Sequence, residues 1–313
     1  MFSYFIRRLF FAAFLVVAVS SGSLVLARYA PGDYATGALG LNATPEQVAA
    51  LRARYGLDRP LATQLADWLS HAVRFDFGRS LANGRPVSEL ISESAVNTAI
   101  LAVTALFLAT IVGVPLGVFS GAGRGGLAEA AIRAASLFLL SMPPLLTSLF
   151  LVFLAARTGW FPIGGMSSIG GGIADRLHHM VVPVLALALP IAAMFERLQA
   201  QAMAEAIGAP FVLATLARGV PRSRVVWRDA LKASLRPVAA VYGIVVGTLL
   251  SGSFVVEVIT AWPGLGRLML DALRARDVFL VAGCAAAGSI FLALGSLLSD
   301  AVLALVDPRV AER

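Results

Sequence analysis

The chain has one lysine, one cysteine and three histidines in 313 residues, and each scarcity removes a class of chemistry. The lysine, Lys232, is followed by Ala233. No G-x-x-x-x-G-K-[ST] phosphate loop can be written, so the chain cannot hydrolyse ATP through a P-loop. The cysteine, Cys284, sits inside an apolar run, which excludes an intramolecular disulfide and a cysteine-based metal site. His71, His178 and His179 are not spaced as metal ligands, and the adjacent pair points to different sides of any helix. No G-x-S-x-G turn occurs, and Ser141, Ser167 and Ser168 have no nearby His or Lys to activate them. The expectation is therefore no catalytic residue, no metal ligand and no cofactor held by this chain.

Charge is scarce as well. Only 14% of the residues are charged and 58% are hydrophobic, whereas a soluble domain needs about a quarter of its residues charged to furnish a surface. The charges cluster between long apolar runs, which is the pattern of a polytopic, all-α membrane protein in contact with the lipid bilayer. The net charge of +7 does not point to nucleic acid, because the arginines flank apolar segments.

Six runs are each near or above the ~20 residues that cross a hydrocarbon core. They are Leu9–Ala27, Thr98–Phe119, Ala134–Ala156, Val181–Met203, Pro237–Val256 and Leu280–Val306. The first follows Arg7 and Arg8 and is longer than the apolar part of a signal peptide, so it reads as a retained membrane helix over 1–29. Six transmembrane helices from an inside start place both termini in the cytoplasm. Charge agrees with that orientation. The loop between the fourth and fifth runs holds Arg218, Arg222, Arg224, Arg228, Lys232 and Arg236 against Glu205 and Asp229, while 28–93 carries as many acids as arginines. Pro115, Pro143, Pro144, Pro183 and Pro190 fall within the runs and are expected to kink them. Glu196, Glu257 and Asp300 lie toward the ends of their runs. Interfacial roles suit them better than a proton relay, which weighs against a gradient-driven secondary transporter.

Residues 30–95 read as a small external helical subdomain. Thr44-Pro45-Glu46-Gln47 has the form of a capping box, Val48, Leu51 and Tyr55 share a face, and Gly56 stops the helix. A second helix starts near Pro60 with Leu61, Leu65, Trp68 and Leu69 along one side. Residues 96–306 form the transmembrane core, and 307–313 form a cytoplasmic tail.

The loop 204–236 is the most informative stretch. Pro210 opens a short helix whose apolar side is Phe211, Leu213, Leu216 and Ala217, and Gly219 closes it before Pro221. A second helix places Trp227, Ala230, Leu231, Ser234 and Leu235 on one face, with Arg224, Arg228, Lys232 and Arg236 recurring every fourth residue on another. Such a segment is either a lever protruding from the membrane or a basic strip held by anionic lipid.

The run Ala214-Thr215-Leu216-Ala217-Arg218-Gly219, followed by Arg228-Asp229-Ala230-Leu231 and Arg236-Pro237, resembles the coupling loop of binding-protein-dependent ABC import permeases. Further matches narrow the resemblance to the dipeptide/oligopeptide branch. They are Arg7-Arg8, Ala30-Pro31-Gly32-Asp33, Tyr55-Gly56-Leu57-Asp58-Arg59-Pro60, Phe77-Gly78-Arg79-Ser80, the motif Ala261-Trp262-Pro263-Gly264-Leu265-Gly266-Arg267, Arg276-Asp277, and Asp307-Pro308-Arg309. They run in order from one end of the chain to the other. The resemblance implies the type I ABC importer permease fold, with Phe211, Ala214, Thr215, Leu216, Ala217, Arg218 and Gly219 forming the ATPase-coupling loop. It also implies four kinds of neighbour: a second homologous permease subunit, two ABC ATPase subunits that carry ATP and Mg, an extracytoplasmic solute-binding protein, and the bacterial inner membrane. The chain departs from the family at Pro210-Phe211, which replaces a common Asp-Tyr pair, at Arg218 for Lys, and at Ala214, where the wider superfamily often has Glu. Di- and oligopeptides are the implied cargo, with nickel chelates or glutathione as alternatives.

Overall fold

The computed structural model describes residues 2–40, 43–123, 125–168 and 170–306, and their side chains other than those of 2–5, 250–252 and 298–306. The closing Asp307-Pro308-Arg309, the 307–313 tail and the side chain of Asp300 lie outside that set. Among the described residues there is no strand, only an isolated bridge between Arg79 and Pro86. The order opens with α1 (Phe2–Tyr29), α2 (Tyr34–Leu39), α3 (Pro45–Arg54), α4 (Leu61–Ala72) and α5 (Val87–Ala122). It continues with α6 (Leu127–Ser141), α7 (Pro144–Thr158), α8 (Ile173–Ile207), α9 (Pro210–Ala217) and α10 (Arg222–Arg224). After a π turn (Val225–Ala230) come α11 (Leu231–Ser234), α12 (Arg236–Gly252), α13 (Phe254–Ile259), α14 (Leu265–Arg274) and α15 (Val278–Val306).

Four stretches are long and apolar enough to cross a membrane: Ile6–Tyr29, Val87–Ala122, Ile173–Ile207 and Val278–Leu297. Two bent pairs bring the number to as many as six, which makes the chain an all-α, multi-pass membrane protein. One of these pairs revises the sequence expectation. The predicted third span, Ala134–Ala156, is a corner in which α6 and α7 meet at 108°. Met142 (ψ 120°) and Pro143 (ψ 146°) are both extended, because each precedes a proline whose ring disfavours helical backbone before it. Pro115, Pro183 and Pro190 stand alone and leave α5 and α8 unbroken. The fifth span also differs, since α12 stops at Gly252 and α13 follows separately.

The chain divides into two compact units. The first comprises residues 1–99 and 261–293. Its α3 begins with the reciprocal cap foreseen at Thr44 and Gln47, has Pro45 at the first helical position, and ends before Gly56 at φ +65°. Val48, Leu51 and Tyr55 are the half-buried face of α3. Trp68 of α4 packs with Leu24 and Ala282, flanked by Leu61, Leu65 and Leu69. Asp33 caps α2 by accepting from the Thr36 N–H, and it takes the Arg52 guanidinium at 2.5 Å, tying α2 to α3. Burial pushes the Asp33 carboxyl up, but the hydrogen bonds from Arg52 and Thr36 outweigh it and hold the pKa below its ordinary 3.8.

The second unit comprises residues 100–260 and 294–313. In it α5 packs closely against α8. A Cβ added at Gly113 would lie 2.5 Å from the Ala192 carbonyl oxygen, and one at Gly117 would lie 2.6 Å from that of Glu196. At Gly121 the Ala200 carbonyl is closer still. The spacing of four on both helices lets two backbones touch along two turns, the small-xxx-small mode of membrane helix packing. Tyr242 of α12 reaches the same seam, stacking on Phe195 at 5.5 Å and sharing a 2.8 Å hydrogen bond with Thr110.

Candidate functional site

The segment 204–236, which carries the expected coupling residues, belongs to the second unit. Ala209 is extended, Pro210 supplies the first turn of α9 with no N–H to satisfy, and Gly219 at φ +82° ends the helix. Extended Pro221 then starts the next helical stretch. Val212 is fully buried and packs with Val118, Met203, Ala206, Val225, Val226 and Ala230, with Leu216 and Val220 against them. This corrects the expected apolar side. Val212 and Leu216 are four apart and form the inner edge of α9, while Phe211 (48% exposed), Leu213 (54%) and Ala217 stand outside. That i, i+4 pair was the signal in the sequence.

Phe211, Ala214, Thr215 and Arg218 line an open groove of about 890 Å³, whose other wall is Val220, Arg228, Asp229 and Lys232. Thr215 Oγ1 donates to the Phe211 carbonyl at 2.8 Å and accepts from the Arg218 guanidinium at 3.2 Å, which fixes one rim. Arg222 donates to the Ala122 carbonyl at 2.8 Å, fastening the basic strip to the end of α5. Arg224, Arg228, Lys232 and Arg236 are all exposed, as their spacing implied. Trp227 was expected to share a face with Ala230 and Ser234, but those two are buried while Trp227 is exposed. The π turn puts one extra residue into the ladder, with Leu231 N–H reaching back to Val226, so Val225 and Val226 take the buried positions.

The second set of motif residues belongs to the first unit. Trp262 is 1% exposed; its Nε1 donates to the Asn97 carbonyl at 3.1 Å, and the Asn97 side chain donates to the Pro263 carbonyl at 2.9 Å. Leu265 N–H donates to Thr98 Oγ1 at 2.8 Å. Gly264 opens α14, half-buried Gly266 sits in its first turn, and the Arg267 guanidinium donates to the carbonyl of Ala261, itself at φ +52°. Asp277 is fully buried: it accepts the Ser80 hydroxyl at 2.6 Å and the Ala82 N–H at 3.3 Å, and caps α15 through the Leu280 N–H at 3.1 Å. The Arg276 guanidinium lies where a side chain on Gly32 would stand. These residues act as fasteners between distant stretches, and Asn97, Thr98 and Ser80 are the partners that sequence spacing did not reveal.

Glu196 and Glu257 are buried within the chain. Glu196 is 2% exposed and accepts from Ser120 Oγ at 2.5 Å; Glu257 is fully buried and accepts from Ser253 Oγ at 2.7 Å. Arg197, beside Glu196, is the residue that reaches the surface. Among the described residues no group of three or more His, Cys, Asp or Glu side chains could hold a metal ion.

Residues 113–312 match the family model described as binding-protein-dependent transport system inner membrane component, and residues 1–85 match its N-terminal companion. The oligopeptide transport system permease protein AppB of Bacillus subtilis is 31% identical, covering 98% of this chain and 99% of its own length. A probable peptide ABC transporter permease of Sinorhizobium fredii is 32% identical, covering 98% of each. The oligopeptide transport system permease protein OppB of Mycobacterium tuberculosis is 34% identical over 82% of each.

Proposed function

Because the chain belongs to the family of binding-protein-dependent transport system inner membrane components, we propose that it is one permease subunit of an ATP-driven importer of di- or oligopeptides. The observation that carries this reading is the construction of α9. A buried Val212 holds the helix to the cluster of α5 and α8 residues beneath it while Phe211, Ala214 and Arg218 line an open groove. A protruding helix, rigidly based and with an aromatic tip, suits a docking element for a separate ATPase subunit. The peptide cargo follows the names of the relatives, and a solute-binding protein would set most of its selectivity.

In this reading the arginine-rich segment 218–236 lies in the cytoplasm, as the positive-inside rule expects, and residues 30–95 face the binding protein. A second, similar permease completes the pathway. Closure of two ATPase subunits moves α9 as a rigid body and switches the pathway between inward- and outward-facing states. Affinity purification of the tagged full-length chain from native membranes tests the docking step. ATPase subunits should co-purify with the wild type and be lost from a Phe211→Ala, Arg218→Ala variant inserted at normal level. Retention of equal ATPase by that variant would remove α9 as the docking element.

A further inference from the structure

We propose that a crevice where the ends of α5 and α8 meet the start of α6 binds a zwitterion, with Glu196 receiving its ammonium group. The crevice measures about 560 Å³ and its lining includes Ser120, Glu129, Arg133, Glu196, Arg197 and Gln201. That is the size range of a small-molecule site.

Glu196 is the buried carboxylate of the lining, 2% exposed. Oε1 takes the Ser120 hydroxyl, but Oε2 is buried without any hydrogen-bond partner. A buried carboxylate oxygen without a donor is costly to the fold, so its persistence points to a donor supplied from outside the chain. The other carboxylate of the lining is already engaged: Glu129 accepts the Gly125 N–H at 2.9 Å and lies against Gly123. The two cations of the lining, Arg133 and Arg197, are exposed, and among the described residues neither makes an ion pair.

A simple cation attracted to Glu196 would pass two guanidinium groups at the rim, and a simple anion held by those groups would face the carboxylate behind them. A molecule with an N–H-bearing ammonium at its tip and an anionic group behind satisfies both ends. Two sources have that chemistry. One is a phosphatidylethanolamine headgroup, since the crevice lies at the ends of apolar spans. The other is a free peptide, with its ammonium and carboxylate termini. Arg222 ties the basic strip to the last turn of α5 beside the crevice, so an occupant would sit next to the coupling segment.

The test uses the full-length chain in nanodiscs of phosphatidylcholine, whose headgroup has no N–H to donate. One arm replaces part of the lipid with phosphatidylethanolamine and reads the thermal unfolding midpoint. The other titrates dialanine by calorimetry. Stabilisation by phosphatidylethanolamine alone assigns the site to lipid, and saturable dialanine binding assigns it to peptide. In either case Glu196→Gln should weaken the effect roughly tenfold, as expected for loss of one charge-assisted hydrogen bond. The exposed pair Arg133→Gln, Arg197→Gln should weaken it independently in a chain whose buried seam is untouched. If neither probe acts on the wild type, or if both variants respond as the wild type does, the proposal is wrong.

Discussion

Single residues divide sharply between those that hold the fold and those that face outward. Gly219 has a left-handed backbone, and a Cβ there would meet nothing within 4 Å. Gly219→Val therefore strains the turn without a clash, by about 1–3 kcal/mol. It should lower transport while membrane insertion stays normal, and Gly219→Asn, which tolerates that backbone, should recover most of the activity. Import at the wild-type rate by the valine variant would remove the turn from the coupling path. Val212→Ala, by contrast, should cost about 2 kcal/mol of stability, because it strips a buried side chain; a thermal scan of the purified protein checks this. Asp33 makes a pH prediction. Its folded pKa is lowered, so its contribution is fully present above the ordinary 3.8 and is lost as pH falls through the lower folded value. Hydrogen exchange in α2 and α3 should accelerate on that acid side in the wild type, and an Asp33→Asn variant should lack the step. Gly219 and the Thr44 cap were readable from sequence because their signals lie within a few residues, whereas Asp33 entered only as part of a motif and its partner Arg52 lies 19 residues on. Trp262 and Asp277 were readable only as motifs, since Asn97 and Ser80 are distant in the chain.

At the level of elements, local rules worked wherever a helix ends on its own signals. The starts at Pro45 and Pro210 and the stops at Gly56 and Gly219 follow from proline lacking an N–H and glycine tolerating positive φ. Two elements escaped those rules. The turn at 225–230 is π-helical, so a face assigned from a 3.6-residue period groups Trp227 with Ala230 and Ser234, which are buried while Trp227 is exposed. The α6–α7 corner lies at the two successive prolines expected to kink the run, but its 108° bend breaks the run into two helices where one kinked span was expected. The α5–α8 seam was also hidden, because glycines four apart reveal their purpose only beside the opposing backbone. Gly121→Val should destabilise the chain strongly by forcing those backbones apart, whereas Gly22→Ala, in open space on α1, should be neutral or slightly stabilising. Comparison of their unfolding in detergent would decide this, and equal stability of the two variants would mean that the helices can separate at no cost.

For the whole molecule, hydropathy and charge distribution identified a multi-pass membrane chain, since both depend on composition summed over long segments. They did not reveal how the spans are broken, because a break is decided by a few residues. The family relationship rests on similarity along nearly the full length, and the reading of this chain as an importer subunit joins that relationship to the outward-facing α9. The most direct measurement is uptake of radiolabelled di- and oligopeptides in cells lacking the gene, complemented with the wild type or with Gly219→Val. The account predicts that uptake is lost on deletion, restored by the wild type, and not restored by the valine variant inserted at equal level. Unchanged peptide uptake after deletion would contradict it.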